Sequence, residues 1–157
     1  MIVAEVMTQA VRTCAATDSL SAAAQIMWEL DCGAVPVVRD DGHVMGMITD
    51  RDICMAAHLR GQRLGECLVR DAMGAPAISV RPSDTVEKAE SVMREHRIRR
   101  VPVIDESDRV TGIVSLNDLV LAVPRTDNQR GRRPEALVST LTAICQHRQT
   151  NARAAAA

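Results

Sequence analysis

Apolar and polar positions along this chain change their spacing in a set order, and the order is written twice. Leu20, Ala23, Ala24, Met27 and Leu30 recur at helical spacing, and Val86, Ala89, Val92 and Met93 do the same further on. Each helical stretch follows a short extended piece, at residues 11–13 and 77–80. Each is followed by two apolar runs, AVPVV and VMGMI in the first copy, VPVI and VTGIV in the second. The polar turns RDDGH and DESDR separate the runs and predict a hairpin in each copy. A second helix is expected to begin at Thr49 or Ser115. Asp84, with Glu87 three residues later, has the spacing of a capping box for the earlier helix of copy two. The unit is β-α-β-β-α, and the fold class is α+β.

The two copies are offset by 66 positions without a gap: Val3 falls on Val69, Met7 on Met73, Asp18 on Asp84 and Met27 on Met93. The triplet Val35-Pro36-Val37 falls on Val101-Pro102-Val103, Gly46 on Gly112 and Asp52 on Asp118. One such unit has a thin core, so two are expected to intertwine and bury a shared face. The expected organisation is a first repeat at 1–66, a second at 67–123, a polar linker at 124–134, and a C-terminal helix with a disordered tail at 135–157. Pro134 suits the first turn of that helix, and Leu137, Leu141 and Ile144 share one of its faces.

Composition narrows the chemistry. Trp28 is the single aromatic residue among 157, so aliphatic side chains and methionine must fill the core. The net charge of −1 gives no global attraction to nucleic acid or anionic membrane, and stacking platforms for single strands are missing. Arg clusters at 94–100 and 125–133 leave a weak nucleic-acid binder as an alternative; Arg94 and Arg97 read most simply as a solvated helix face. Five cysteines without a CxxC pair point to reduced thiols and a cytoplasmic protein. No run is long enough to span a membrane and no secretory leader is evident. Cys54 and His58, four apart, do not close a metal site and read as a buried thiol and a surface imidazole. Cys32, before Gly33, is either a sensor thiol or an inert structural one. No catalytic set is recognisable, so no enzyme, metal or required cofactor is expected.

The stretches GMITDRD and GIVSLND carry the candidate chemistry. Thr49-x-x-Asp52 and Ser115-x-x-Asp118 have the spacing of helix caps. A helix N-terminus can also hold phosphate, and a carboxylate one turn along can accept hydrogen bonds from a ribose diol. Both meanings stay open on spacing alone. In the rival structural reading the motifs only cap helices and the chain is an interaction protein.

Taken together, VMT and AMG at the unit starts, GAVPVV and IRRVPVID, and the two G-x-x-[TS]-x-x-D junctions make residues 3–123 resemble a tandem pair of CBS domains, a Bateman module. The chain is similar to stand-alone bacterial CBS proteins, including the kind called hypoxic response proteins. The resemblance implies two repeats related by pseudo-two-fold symmetry and a regulatory module for adenosine-containing ligands such as AMP, ADP, ATP, NAD or S-adenosylmethionine. It also implies a homodimer and an effector protein that reads the ligand state. By position, site one would use Met47, Thr49, Arg51 and Asp52 with Ala77, Ile78, Arg99 and Arg100. Site two would use Ile113, Ser115 and Asp118 with Val11, Arg12, Gly33 and Ala34. The arginines of site one suit a phosphorylated ligand; site two suits a less charged one or none.

Overall fold

The computed structural model describes residues 1–122 and 134–145. The elements are β1 (Thr8–Gln9), β2 (Cys14–Ala15), α1 (Leu20–Glu29), β3 (Ala34–Val38), β4 (Val44–Thr49), α2 (Asp50–Arg60), α3 (Val86–His96), β5 (Arg100–Ile104), β6 (Val110–Ser115), α4 (Leu116–Leu121) and α5 (Pro134–Cys145). One turn of 3-10 helix precedes each repeat, at Val3–Glu5 and Val69–Asp71. Among the described residues there are two three-stranded sheets, ordered β2-β3-β4 and β1-β6-β5.

The hairpins form where the alternating runs place them. Val35 faces Ile48 and Val101 faces Val114, the antiparallel pairs that bury each hairpin. The extended piece of repeat 1 falls just after the expected 11–13, whereas in repeat 2 the pairing falls on the last residue of the expected 77–80. Cys14 and Ala15 pair in parallel with Val37 and Val38, and Val80 alone makes the matching bridge to Val103.

The repeat written in the sequence is not the unit that packs. Val3 is fully buried in the core of repeat 2, with Val86, Met93, Val101 and Leu119. Val69 is fully buried in the core of repeat 1, with Leu20, Val37 and Ile48. The same bond anchors each crossing: Val3 N–H donates to the Asp84 carbonyl and Val69 N–H to the Asp18 carbonyl, both at 2.8 Å. Each repeat thus lends its first turn to the other, which joins two small cores without a large shared one. Strand β1 belongs to this exchange, pairing Thr8 with Ile113 and Gln9 with Gly112; two polar residues gave no strand pattern to read.

Two local expectations need correction. Asp84 is not the cap of α3. Its Oδ2 accepts the Arg81 N–H at 2.7 Å and closes the preceding turn, while Thr85 Oγ1 takes the Lys88 N–H at 3.2 Å. Asp18 and Ser19 divide the work in the same way in repeat 1. Cys54 is exposed, because Ile53 and Ala56 supply the buried face of α2. Beyond the repeats, α5 packs on α3. It buries Leu137 and lays Leu141 and Ile144 against the repeat 2 core. Of the expected linker at 124–134, Pro134 already begins α5, and residues 124–133, like the tail after residue 145, lie outside the described residues.

Candidate functional site

Both G-x-x-[TS]-x-x-D stretches end the second strand of a hairpin and start a helix. At Thr49 the hydroxyl donates to Asp52 Oδ2 at 2.6 Å and accepts the Asp52 N–H at 3.2 Å, and the Thr49 N–H donates to the same carboxylate oxygen at 3.0 Å. At Ser115 the three distances to Asp118 are 2.7, 3.3 and 2.7 Å. Both are reciprocal capping boxes. Each carboxylate spends only Oδ2 on the cap. Among the described residues, Oδ1 of Asp52 and of Asp118 accepts no hydrogen bond.

The glycine of each motif marks where the other repeat's chain crosses. Met47 and Gly74 exchange both main-chain hydrogen bonds at 2.9 Å, and a Cβ on Gly46 would run into the Gly74 carbonyl oxygen. A Cβ on Gly112 would stand 3.0 Å from the Thr8 carbonyl and 2.7 Å from the Met7 sulfur. Ala77 N–H donates to the Met45 carbonyl at 3.2 Å, so Met47, Thr49, Asp52 and Ala77 share one stretch of β4 and the start of α2. Ile78 is half-buried against the repeat 2 core.

The arginines take different places. Arg51 is exposed on the first turn of α2. The Arg99 carbonyl accepts the Leu116 N–H at 2.9 Å, so its main chain lies at the start of α4. Arg100 pairs with Ser115 in the β5–β6 ladder, yet its side chain spans to repeat 1 and lies over Gly33, at the start of α2. None of these three side chains has a hydrogen-bond or ion-pair partner among the described residues.

Site two gathers differently. Ile113 pairs with Thr8, and Ser115 and Asp118 form the cap. Val11 is half-buried. Arg12 is ion-paired with Glu29; hydrogen bonds from Gln25 and then Arg12 hold the Glu29 carboxyl below the usual carboxylate range. Gly33 and buried Ala34 sit beside the other motif: the Gly33 carbonyl accepts the Asp50 N–H at 3.3 Å and Ala34 pairs with Thr49. Asp50 is the residue that the sequence pattern left unnoticed. Its carboxylate lies over Gly33, near Arg100. The available signal was the repeat itself, which places Leu116 at the equivalent position.

Comparison with known proteins agrees with this architecture. The family model for the CBS domain matches residues 3–59 and 69–125. Hypoxic response protein 1 of Mycobacterium tuberculosis is 34% identical over 128 residues, covering 82% of this chain and 82% of that protein. A crystal structure of hypoxic response protein I, with two coordinated zinc ions, superposes with a TM-score of 0.72 over 79% of this chain and all of that one. Among the described residues here, no group of three or more His, Cys, Asp or Glu side chains could hold a metal. The CBS domain pair of protein MJ0100, in complex with 5-methylthioadenosine and S-adenosyl-L-methionine, is 25% identical with a TM-score of 0.71, over 77% of this chain and 98% of that one. CBSX2 in complex with AMP is 25% identical with a TM-score of 0.68, over 77% of this chain and 94% of that one.

Proposed function

The chain belongs to the CBS-domain family, and from that premise we propose that it is a regulatory module binding adenosine-containing ligands at two unlike sites. The observation that supports this most is the pair of motif carboxylates. Among the described residues, each leaves Oδ1 without a hydrogen bond at the start of a helix, where it is available to ribose hydroxyls, while Oδ2 keeps the cap. Capping and ligand binding are therefore compatible roles of one carboxylate. Site one, with Met47, Thr49, Arg51, Asp52, Ala77 and Ile78 and with the Arg100 side chain reaching over Gly33, takes the phosphorylated ligands AMP, ADP or ATP; Arg99, whose main chain lies at the start of α4, is left out of it. Charge-assisted bonds from arginine contribute about 1.5–3 kcal/mol each when well formed. Site two, with Val11, Arg12, Ile113, Ser115 and Asp118, takes a less charged adenosine compound; Gly33 and Ala34 sit beside the first motif instead. The module is cytoplasmic, where its five free thiols stay reduced.

Ligand acts by linkage: it stabilises one arrangement of the two repeats, which a partner or a dimer state reads. The dimer forms through repeat 1, where Trp28 of α1, at 85%, is the most exposed large apolar side chain among the described residues; Leu59 of α2 and Leu121 of α4 follow at 75% and 77%. Sedimentation should give a dimer for the natural chain and a monomer for Trp28→Glu. A dimer in both would remove Trp28 from the interface.

Thermal unfolding against adenosine, AMP, ADP, ATP, NAD, S-adenosylmethionine and a GMP control tests the ligand reading. Saturation at about 100 times Kd adds about 2.7 kcal/mol, a rise of several degrees at about 2–4 °C per kcal/mol. The rise with AMP should vanish in Asp52→Ala. Absence of a rise with every adenosine compound would leave the motifs as caps alone.

A further inference from the structure

We infer that Asp50 sets which ligands site one accepts, because its carboxylate occupies the ground a ligand phosphate needs. The inference rests on the adenosine reading and deepens it. Asp50 is the first residue of α2, an eleven-residue helix. Its Oδ1 accepts the Arg51 N–H at 2.7 Å, one of the N–H groups a helix start offers to an anion. Its Oδ2 lies 2.7 Å from the point where a Cβ on Gly33 would stand, and Arg100 Nη2 lies 3.5 Å from the same point. The carboxylate of one repeat and the guanidinium of the other therefore converge over a residue that has no side chain to separate them. Repeat 2 has none of this: Leu116 replaces Asp50, Asn117 replaces Arg51, Ala34 stands where Arg100 would, and Arg99 occupies the glycine position.

The consequence is competition inside the protein. Arg51 and Arg100 draw phosphate toward the start of α2, but the N–H of Arg51 already serves a carboxylate. An uncharged adenosine compound leaves Asp50 where it is. A phosphate must displace the Asp50 carboxylate or sit beside a like charge. Site one is thus graded by phosphate charge, and Asp50 sets the grade.

Equilibrium dialysis of the full chain with adenosine, AMP and ADP tests this, comparing the natural protein with Asp50→Asn and Asp50→Leu. Asparagine keeps an oxygen for the Arg51 N–H, and leucine is the residue of repeat 2. The ratio of AMP to adenosine affinity should rise about fivefold in either variant, the size of one partly screened charge contact. The gain should be larger for ADP, and it should shrink at raised salt. Unbound melting temperatures of the two variants separate altered selectivity from altered folding. An unchanged ratio in proteins that bind adenosine compounds overturns the role of Asp50 and leaves the ligand reading standing. Failure of the natural protein and both variants to bind any of the three overturns both.

Discussion

The two repeats agree closely in scaffold and differ sharply in charge. Their caps make the same three bonds: hydroxyl to carboxylate is 2.6 Å at Thr49 and 2.7 Å at Ser115, N–H to hydroxyl is 3.2 and 3.3 Å, and N–H to carboxylate is 3.0 and 2.7 Å. Their crossings use the same main-chain bonds. The residues between those fixed points are free to differ, and Asp50-Arg51 faces Leu116-Asn117 across the pseudo-two-fold relation. Backbone geometry thus holds two helix starts alike, and the positions that the geometry leaves free decide what each start can hold.

The crossings are where the comparison breaks first. The Cβ of Gly46→Ala meets main chain, the carbonyl of Gly74, a residue whose C=O and N–H are each hydrogen-bonded to Met47. In Gly112→Ala the nearest atom is the Met7 sulfur, the end of a flexible side chain, with the Thr8 carbonyl at 3.0 Å. Urea denaturation should show a cost of about 3 kcal/mol for Gly46→Ala and about 1 kcal/mol for Gly112→Ala, the range of overpacked cores. Equal costs would mean that both crossings yield alike, and that the methionine gives no relief.

The caps sharpen the comparison by being equal. Thr49→Ala and Ser115→Ala each remove the hydroxyl that holds the N–H of the motif aspartate. Each should cost about 1 kcal/mol in the same denaturation experiment. The ligand effects should not be equal: AMP should still raise the melting temperature of Ser115→Ala as it does the natural protein, while Thr49→Ala loses part of the rise. A loss of the AMP effect in both variants would make the two sites one cooperative unit instead of two unlike ones.

Much of this was open to sequence reasoning because it obeys a period. The helices, hairpins and caps follow spacings of four, two and three, and the offset of 66 positions doubled every observation. The exchange of the first turns was not legible. Val3 and Val69 are ordinary valines, and nothing in their neighbours says that each enters the core of the other repeat. The same holds for Thr8–Gln9, whose pairing with β6 depends on main chain alone. Gly46 and Gly112 carried the signal of a close approach but not its partner. Asp84 misled because two oxygens lie side by side at the helix entry, and the hydroxyl of Thr85 took the cap. At the candidate site the cap residues were read from spacing, whereas Asp50 acts through a contact over Gly33 from a different strand, which spacing does not record.

The smallest difference between the cores is a single atom type. Cys14 in repeat 1 stands where repeat 2 has Val80, both buried and both paired with the first strand of their hairpin. Burial, and then the negative charge of Asp18, push the Cys14 thiol up to about 11 from its ordinary 9.0. The folded state therefore disfavours the thiolate, and the unfolded chain ionises first. That contribution is fully present below pH 9.0, and is lost as pH rises through the folded value of about 11. Cys14→Val copies the residue of repeat 2 and removes this one titration, while every other ionising group stays the same. Between those two values the melting temperature of the natural protein should fall with pH relative to that of Cys14→Val. Parallel curves would show that Cys14 does not ionise differently on unfolding, and the two cores would then be equivalent in their response to alkali as well as in their packing.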